Sequence, residues 1–229
     1  MKKIMLAFNI VLGALCLFLI ILYDCCGGLM LKGITAAGFV LLGLINALYA
    51  WLAKSDHRPF ALRMLLGLAV CMIGDIVLNL SFIPGAIIFA LGHILYCIAF
   101  GKLNQYRKND FFSIAVVMIL SLAILLLTPG LHFGSSVMAC IVYIYALIIS
   151  LMVGKAIANY LRGHSALTAL QMLGAILFYF SDLMLLLLYF ADAPQITDVL
   201  CLYTYFPGQC LLAHSIFHAV SENKGGEPA

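Results

Sequence analysis

The chain has 229 residues, of which 66% are hydrophobic and 9% charged, and its mean hydropathy is +1.16. Soluble domains hold about 45–50% apolar residues, so this composition excludes a water-soluble globular protein and describes an integral membrane protein. The net charge of +3 follows from loop charges that set orientation, and no basic patch calls for a nucleic-acid partner.

A hydrocarbon core about 30 Å thick is spanned by about 20 helical residues, and apolar runs of that size recur along the whole chain. The first, 4–23, follows Lys2 and Lys3. Basic residues ahead of an apolar run also begin secretory signals, but no A-x-A-like cleavage site follows and "GALC" around Cys16 is a poor lipoprotein site. The run therefore reads as a spanning helix. The second run, 28–53, carries Lys32 near its start; the third, 61–80, carries Asp75 in "CMIGDIVLNL". The fourth, 82–103, holds His93 and Tyr96, and the fifth, 111–129, is plainly apolar. The sixth, 134–161, holds Tyr143 and Tyr145, and the seventh, 166–191, contains "LGAILFYFSDLMLLLLYF" with Asp182 near its middle. The eighth, 196–220, carries Tyr205, Gln209, His214 and His218. The expected fold is all-α, one polytopic bundle of eight transmembrane helices over 1–220, with a disordered tail over 221–229.

Lysine and arginine collect in cytoplasmic loops. Lys2, Lys3, Lys54, Arg58, Arg63, Lys102, Arg107, Lys108, Lys155, Arg162 and Lys224 all fall on one side of this topology, and Lys32 alone remains for the other. Both termini, and the tail, are expected in the cytoplasm. The eight cysteines include no C-x-x-C, and most sit in apolar runs as small hydrophobes; Cys25, Cys26 and Cys201 share the outer end, where a disulfide is one option. Gly27/Gly28, Gly38/Gly43 and Gly67/Gly74 are expected to allow close helix packing.

Ionisable groups inside a bilayer are costly and mark interior sites. Counted from the outer helix ends at 1.5 Å per residue, Lys32 lies about 6 Å deep, Asp75 about 8 Å, Tyr143 and Asp182 about 14 Å, His93 about 16 Å and Gln209 about 18 Å. These groups, with Tyr96 and Tyr205, share one slab. "LLGLAVCMIGDIVL" (65–78) also aligns without gaps on "MLGAILFYFSDLML" (172–185), pairing Gly67 with Gly174 and Asp75 with Asp182. A parallel repeat of this kind would turn the two aspartates toward one central cavity. Structural roles stand beside this reading: an aspartate that locks helices through Lys32 or a tyrosine, a Lys32 that snorkels to the interface, and Tyr96 and Tyr205 as packing aromatics. His214 and His218, at i, i+4, could hold zinc with an aspartate as third ligand in a metal-dependent hydrolase, but they lie nearer the cytoplasmic end than the slab, and no metal site is assigned. A small proton-coupled transporter using the two aspartates is a further alternative.

Three stretches, "GDIVLNLSFIPGAIIFALGHILYCIAF" (74–100), "GAILFYFSD" (174–182) and "TYFPGQCLLA" (204–213), together with a lysine opening the second helix and a tyrosine in the sixth, resemble the YhhN-like lysoplasmalogenases. G-D, F-x-x-x-H-x-x-Y, S-D and Y-x-x-x-Q follow in the same order. The resemblance implies eight transmembrane helices, no required cofactor, and hydrolysis of the vinyl ether of a lysoplasmalogen, a lysophospholipid drawn from the membrane, to a fatty aldehyde and glycerophospho-ethanolamine or -choline. It implies a bacterial cytoplasmic membrane as the location, and site residues at Lys32, Asp75, His93, Tyr96, Tyr143, Asp182 and Gln209. One departure is Gly33, where the resemblance leads one to expect proline after the lysine. Vinyl ether cleavage needs a proton on carbon and a group that tolerates an oxocarbenium ion, as glycosidases achieve with two carboxyls. Asp182, the deeper, is expected to be the acid and Asp75 the ionised partner, with Lys32 available to the substrate's phosphate.

Overall fold

The computed structural model describes residues 2–222. They form α1 (Lys2–Cys26), α2 (Leu29–Leu52), α3 (Arg58–Leu78), α4 (Phe82–Leu103), α5 (Asp110–Leu127), α6 (Ser136–Gly163), α7 (Ala166–Phe190) and α8 (Ile196–Glu222), with no strand among the described residues. Every boundary lies within three residues of the expected one. The early start of α3 has a local cause: Pro59 sits in its first turn, where the missing N–H costs nothing. α8 runs through Glu222, whose Oε1 accepts a hydrogen bond from the Leu167 amide at 3.1 Å. The first two residues of the expected tail are therefore helical, and 223–229 lie outside the described residues.

Seven helices, α1 to α7, are long and apolar enough to cross a membrane; α8 is as long but too polar to count with them. Leu52 is 77% exposed, Phe112 75% and Leu127 78%. Side chains of this kind line the outward faces of the helices, an arrangement that suits lipid and not water. The chain is an integral multi-pass membrane protein.

Because lipid is as apolar as leucine, helices in a bilayer associate through close packing and interhelical hydrogen bonds. Glycines mark where they meet. A Cβ on Gly85 would lie 2.5 Å from the Leu78 Cα across the α3–α4 turn, and one on Gly154 would lie 2.4 Å from the Ile114 Cα between α5 and α6. Gly174 and Gly208 face each other across α7 and α8, each with its partner's carbonyl oxygen at about 3 Å from an added Cβ. Of the sequence-flagged glycines, Gly43 admits Leu68 and Gly67 lies under the Tyr96 ring. Gly27 and Gly28 do not pack at all; they turn the chain, with φ of 67° and 93°. α6 bridges α4 and α7, while neither α3 nor α4 packs its backbone directly on α7. The space left there holds the site.

At the end of the bundle carrying the 104–109 loop, Lys155 is fully buried. Its Nζ lies 2.6 Å from Asp110 Oδ2, Arg162 takes the other carboxylate oxygen, and the Arg107 amide donates to Oδ2 at 3.1 Å. Sequence reading counted Lys155 as a loop charge; it is an interior one, tolerated because its carboxylate partner is itself fully engaged.

Replacing Gly208 with alanine should lower the thermal unfolding midpoint in detergent by an amount corresponding to about 1–3 kcal/mol. Gly163→Ala, where an added Cβ meets nothing within 4 Å, should leave the midpoint unchanged.

Candidate active site

The left-handed turn at Gly27 and Gly28 starts α2 so that the Lys32 amide reaches the Gly28 carbonyl at 3.0 Å and the side chain enters the bundle. Asp75 meets it from the last turn of α3: Lys32 Nζ lies 2.9 Å from Asp75 Oδ1, with the side chains 16% and 5% exposed. Asn79 Nδ2 donates to the Asp75 carbonyl at 2.6 Å, tying off the helix end below the carboxylate. Asp75 Oδ2 is buried with no protein partner.

Asp182 has quite different company. The Tyr145 hydroxyl of α6 donates to its Oδ2 at 2.7 Å, and His93 Nε2 of α4 lies 3.1 Å from the same oxygen and 2.8 Å from the tyrosine oxygen. The His93 ring is fixed against Phe178, centroids 4.5 Å apart, and its Nδ1 is buried without a partner. Two proton arrangements satisfy this triangle. In one, Asp182 is ionised and accepts from Tyr145, while His93 Nε2–H donates to the tyrosine oxygen. In the other, a proton gained at His93 Nδ1 shifts each bond by one step, so that Tyr145 donates to Nε2 and Asp182 holds a proton. The triangle can therefore convert a carboxylate into a carboxylic acid without moving a heavy atom.

Lys32, Asp75, Asp182 and Tyr205 line one cavity of about 220 Å³. Asp182 also borders a smaller, apolar cavity of about 70 Å³ between α4, α5, α6 and α7, so its carboxyl stands in the wall between a polar and an apolar space. His93 reaches the cavity only through Asp182. Tyr96 and Gln209 are fully buried away from it and pair with each other, hydroxyl to Oε1, at 2.7 Å. Tyr205 OH donates to the Cys71 carbonyl at 3.4 Å.

Tyr143 does not join these groups. Its ring packs edge-on against Phe133, centroids 6.3 Å apart, in a small cluster with Phe190 and Leu125. The residue that reaches Asp182 is Tyr145. Two positions apart on a helix are separated by about 200° of rotation, so depth alone does not distinguish them. The signal lay in the pattern: Tyr145 continues the buried line of Ile149, Met152 and Ala156. Tyr23, Asp24 and Asp198 also line the polar cavity. They sit at helix ends, where a charge in sequence reads as an ordinary boundary residue.

All eight cysteines are free, including Cys25, Cys26 and Cys201, and Cys201 Sγ lies 3.4 Å from the Ser181 hydroxyl. His214 Nδ1 is spoken for by Asn9 Oδ1 at 2.8 Å. Among the described residues no three His, Cys, Asp or Glu side chains gather closely enough to hold a metal ion.

A multi-pass helical membrane protein that encloses two carboxyl groups, one paired with lysine and one with a tyrosine–histidine pair, is the class the geometry defines. The chain belongs to the YhhN family, whose model matches residues 36–216. Asp75, His93, Tyr145, Asp182 and Gln209 fall within the match, and Lys32 lies just before it. No solved structure matches the chain.

Tyr145→Phe should cost about 1–3 kcal/mol of stability, since it strips one partner from both Asp182 and His93. Tyr143→Phe should stay within about 0.5 kcal/mol of the parent. Thermal melts of the two variants in the same detergent compare them directly.

Proposed function

We propose that the protein is a lysoplasmalogenase, hydrolysing the vinyl ether of a lysophospholipid to a fatty aldehyde and a glycerophospho-base. Membership in the YhhN family supports a lysoplasmalogenase-like hydrolase at the family level. The observation that carries the reading for this chain is the unlike partnering of two carboxyls on one cavity: Asp75 held by an ammonium at 2.9 Å, and Asp182 held by groups that donate and pass protons.

In this mechanism Asp182, protonated through the His93–Tyr145 triangle, delivers its proton to the vinyl carbon remote from oxygen. The electron pair of the C=C bond forms the new C–H bond, and the ether oxygen shares the resulting positive charge as an oxocarbenium ion. Asp75, kept ionised by Lys32, stabilises that cation, and its free Oδ2 holds and activates water. Water adds to the oxocarbenium carbon, giving up a proton to Asp75, and the hemiacetal divides into aldehyde and alcohol as its C–O bond breaks. The hydroxyl proton returns to Asp182, the leaving oxygen takes up the proton held at Asp75, and the net consumption is one water. The hydrocarbon chain lies toward the apolar cavity and the glycerol toward the polar one, which sets the reacting double bond beside Asp182.

The basic ends of α3, α4 and α6 face the cytoplasm in this reading, α8 completes an eight-span bundle, and the membrane is a bacterial inner membrane. Lys32 and Asp75 then open toward the outer leaflet.

Purified protein should release aldehyde from a lysoplasmalogen and leave its saturated ether analogue intact. In D2O the aldehyde should carry one deuterium on the carbon next to the carbonyl. Asp182→Asn and Asp75→Asn should each reduce release to background in folded protein, with Asp75→Asn melting below the parent because it leaves Lys32 without its carboxylate. Near-parental turnover by either folded variant removes the mechanism.

A further inference from the structure

The polar cavity carries more negative charge than the proposed chemistry uses. Four carboxyl groups line it, Asp24, Asp75, Asp182 and Asp198, against one amine, Lys32. That amine is already committed, 2.9 Å from Asp75 Oδ1. Asp75, which is more than nine-tenths buried and whose Oδ2 has no partner, lines the same space. Toward the surface, Asp24 is exposed and accepts one hydrogen bond, from Tyr203 OH at 3.1 Å; Asp198 is exposed in the first turn of α8. Neither forms a salt bridge among the described residues, while Tyr23 and Phe206 contribute aromatic faces to the same wall.

An anion entering such a space meets repulsion with no free cation to offset it among the described residues. An organic ammonium meets carboxylates and aromatic rings, the two group types that recognise quaternary and primary ammonium ions. We infer that Asp24 and Asp198, with Tyr23, form a subsite for the organic cation of an amphiphilic ligand, so that the head group is chosen by its ammonium and not by its phosphate. Lys32 serves the Asp75 carboxylate and leaves the phosphate without a cationic contact. This deepens the lysoplasmalogenase reading, and rests on it only in taking the ligand to be that enzyme's amphiphilic substrate.

The test uses ligands that cannot be hydrolysed. Three saturated amphiphiles of one chain length are radiolabelled and measured by flow dialysis against the full-length protein in nonionic detergent: an alkyl ether lysolipid with a choline head, the same lipid with a glycerol head, and a phosphate-free alkyltrimethylammonium. The two ammonium-bearing ligands should bind within a few-fold of each other, and the anionic glycerol lipid roughly tenfold more weakly. The double variant Asp24→Asn, Asp198→Asn should lose roughly tenfold for both ammonium-bearing ligands and hold or improve binding of the glycerol lipid. Asp192→Asn, an exposed acid outside the cavity, controls for net charge and should change nothing. The inference is overturned if the glycerol lipid binds as well as the choline lipid, if removing the phosphate abolishes binding, or if the double variant weakens all three ligands equally. Failure of the enzymatic reading would appear separately, as no aldehyde from a vinyl ether, with the cation preference intact.

Discussion

A lysine and an aspartate inside an apolar bundle must meet each other or abandon their charges, and the site is organised around the contact that results. Taking either ion out of water alone would cost several kcal/mol or more, and the pair is tolerable only because the geometry is close. That requirement dictates the local chain path. α2 has to begin within one turn of Lys32, which the two left-handed glycines at 27 and 28 accomplish, and α3 has to end just beyond Asp75, where Asn79 caps its carbonyl. The second carboxyl solves the same problem with neutral partners, and the contrast makes the two aspartates chemically distinct although both line one cavity.

The cavity itself is a packing result. Three glycine-mediated approaches, Gly85 on Leu78, Gly154 on Ile114 and Gly174 on Gly208, draw helices together in pairs. The pairs then stand apart where α6 props α4 away from α7. Aromatic side chains close part of the gap, with Phe82 against Tyr189 and Phe190 at centroid distances of 4.5 and 5.2 Å. What remains open is bounded by bulky residues on the α5 and α6 side and by charged ones beside α1 and α2. Gly67 and Gly174, matched in the internal alignment, do comparable work: each receives the helix that follows its own, Tyr96 of α4 in one case and Gly208 of α8 in the other.

Helix positions were legible in sequence because hydropathy and helix length report the same physical constraint, a slab of fixed thickness. The contact between Lys32 and Asp75 was legible as a shared depth and as one option for pairing an intramembrane aspartate, and that between His93 and Asp182 only as a shared depth. Depth is one coordinate. The rotation of each helix about its axis is another: the resemblance pointed to Tyr143, depth did not separate it from Tyr145, and the bundle turns Tyr145 inward. Lys155 and Asp110 illustrate a different limit: a charge near a helix end looks solvated in sequence, and only the fold reveals that Lys155 is wholly enclosed. Asp24 and Asp198 escaped notice for the same reason.

α1 buries only Asn9, Cys16 and Ile20, so most of its surface looks outward. Asn9 donates to Asn46 Oδ1 at 2.8 Å and accepts from Asn46 Nδ2 at 2.8 Å, while His214 completes the group from α8. A smooth apolar helix against apolar neighbours has little to stop it sliding along its axis, whereas a reciprocal amide pair is satisfied at a single register. Asn9 thus acts as a detent. By holding α1 at one height it also fixes the height of Gly27 and Gly28, about five turns farther along the chain. The elevation at which Lys32 enters the bundle is set, in part, by a polar contact at the opposite end of the preceding helix.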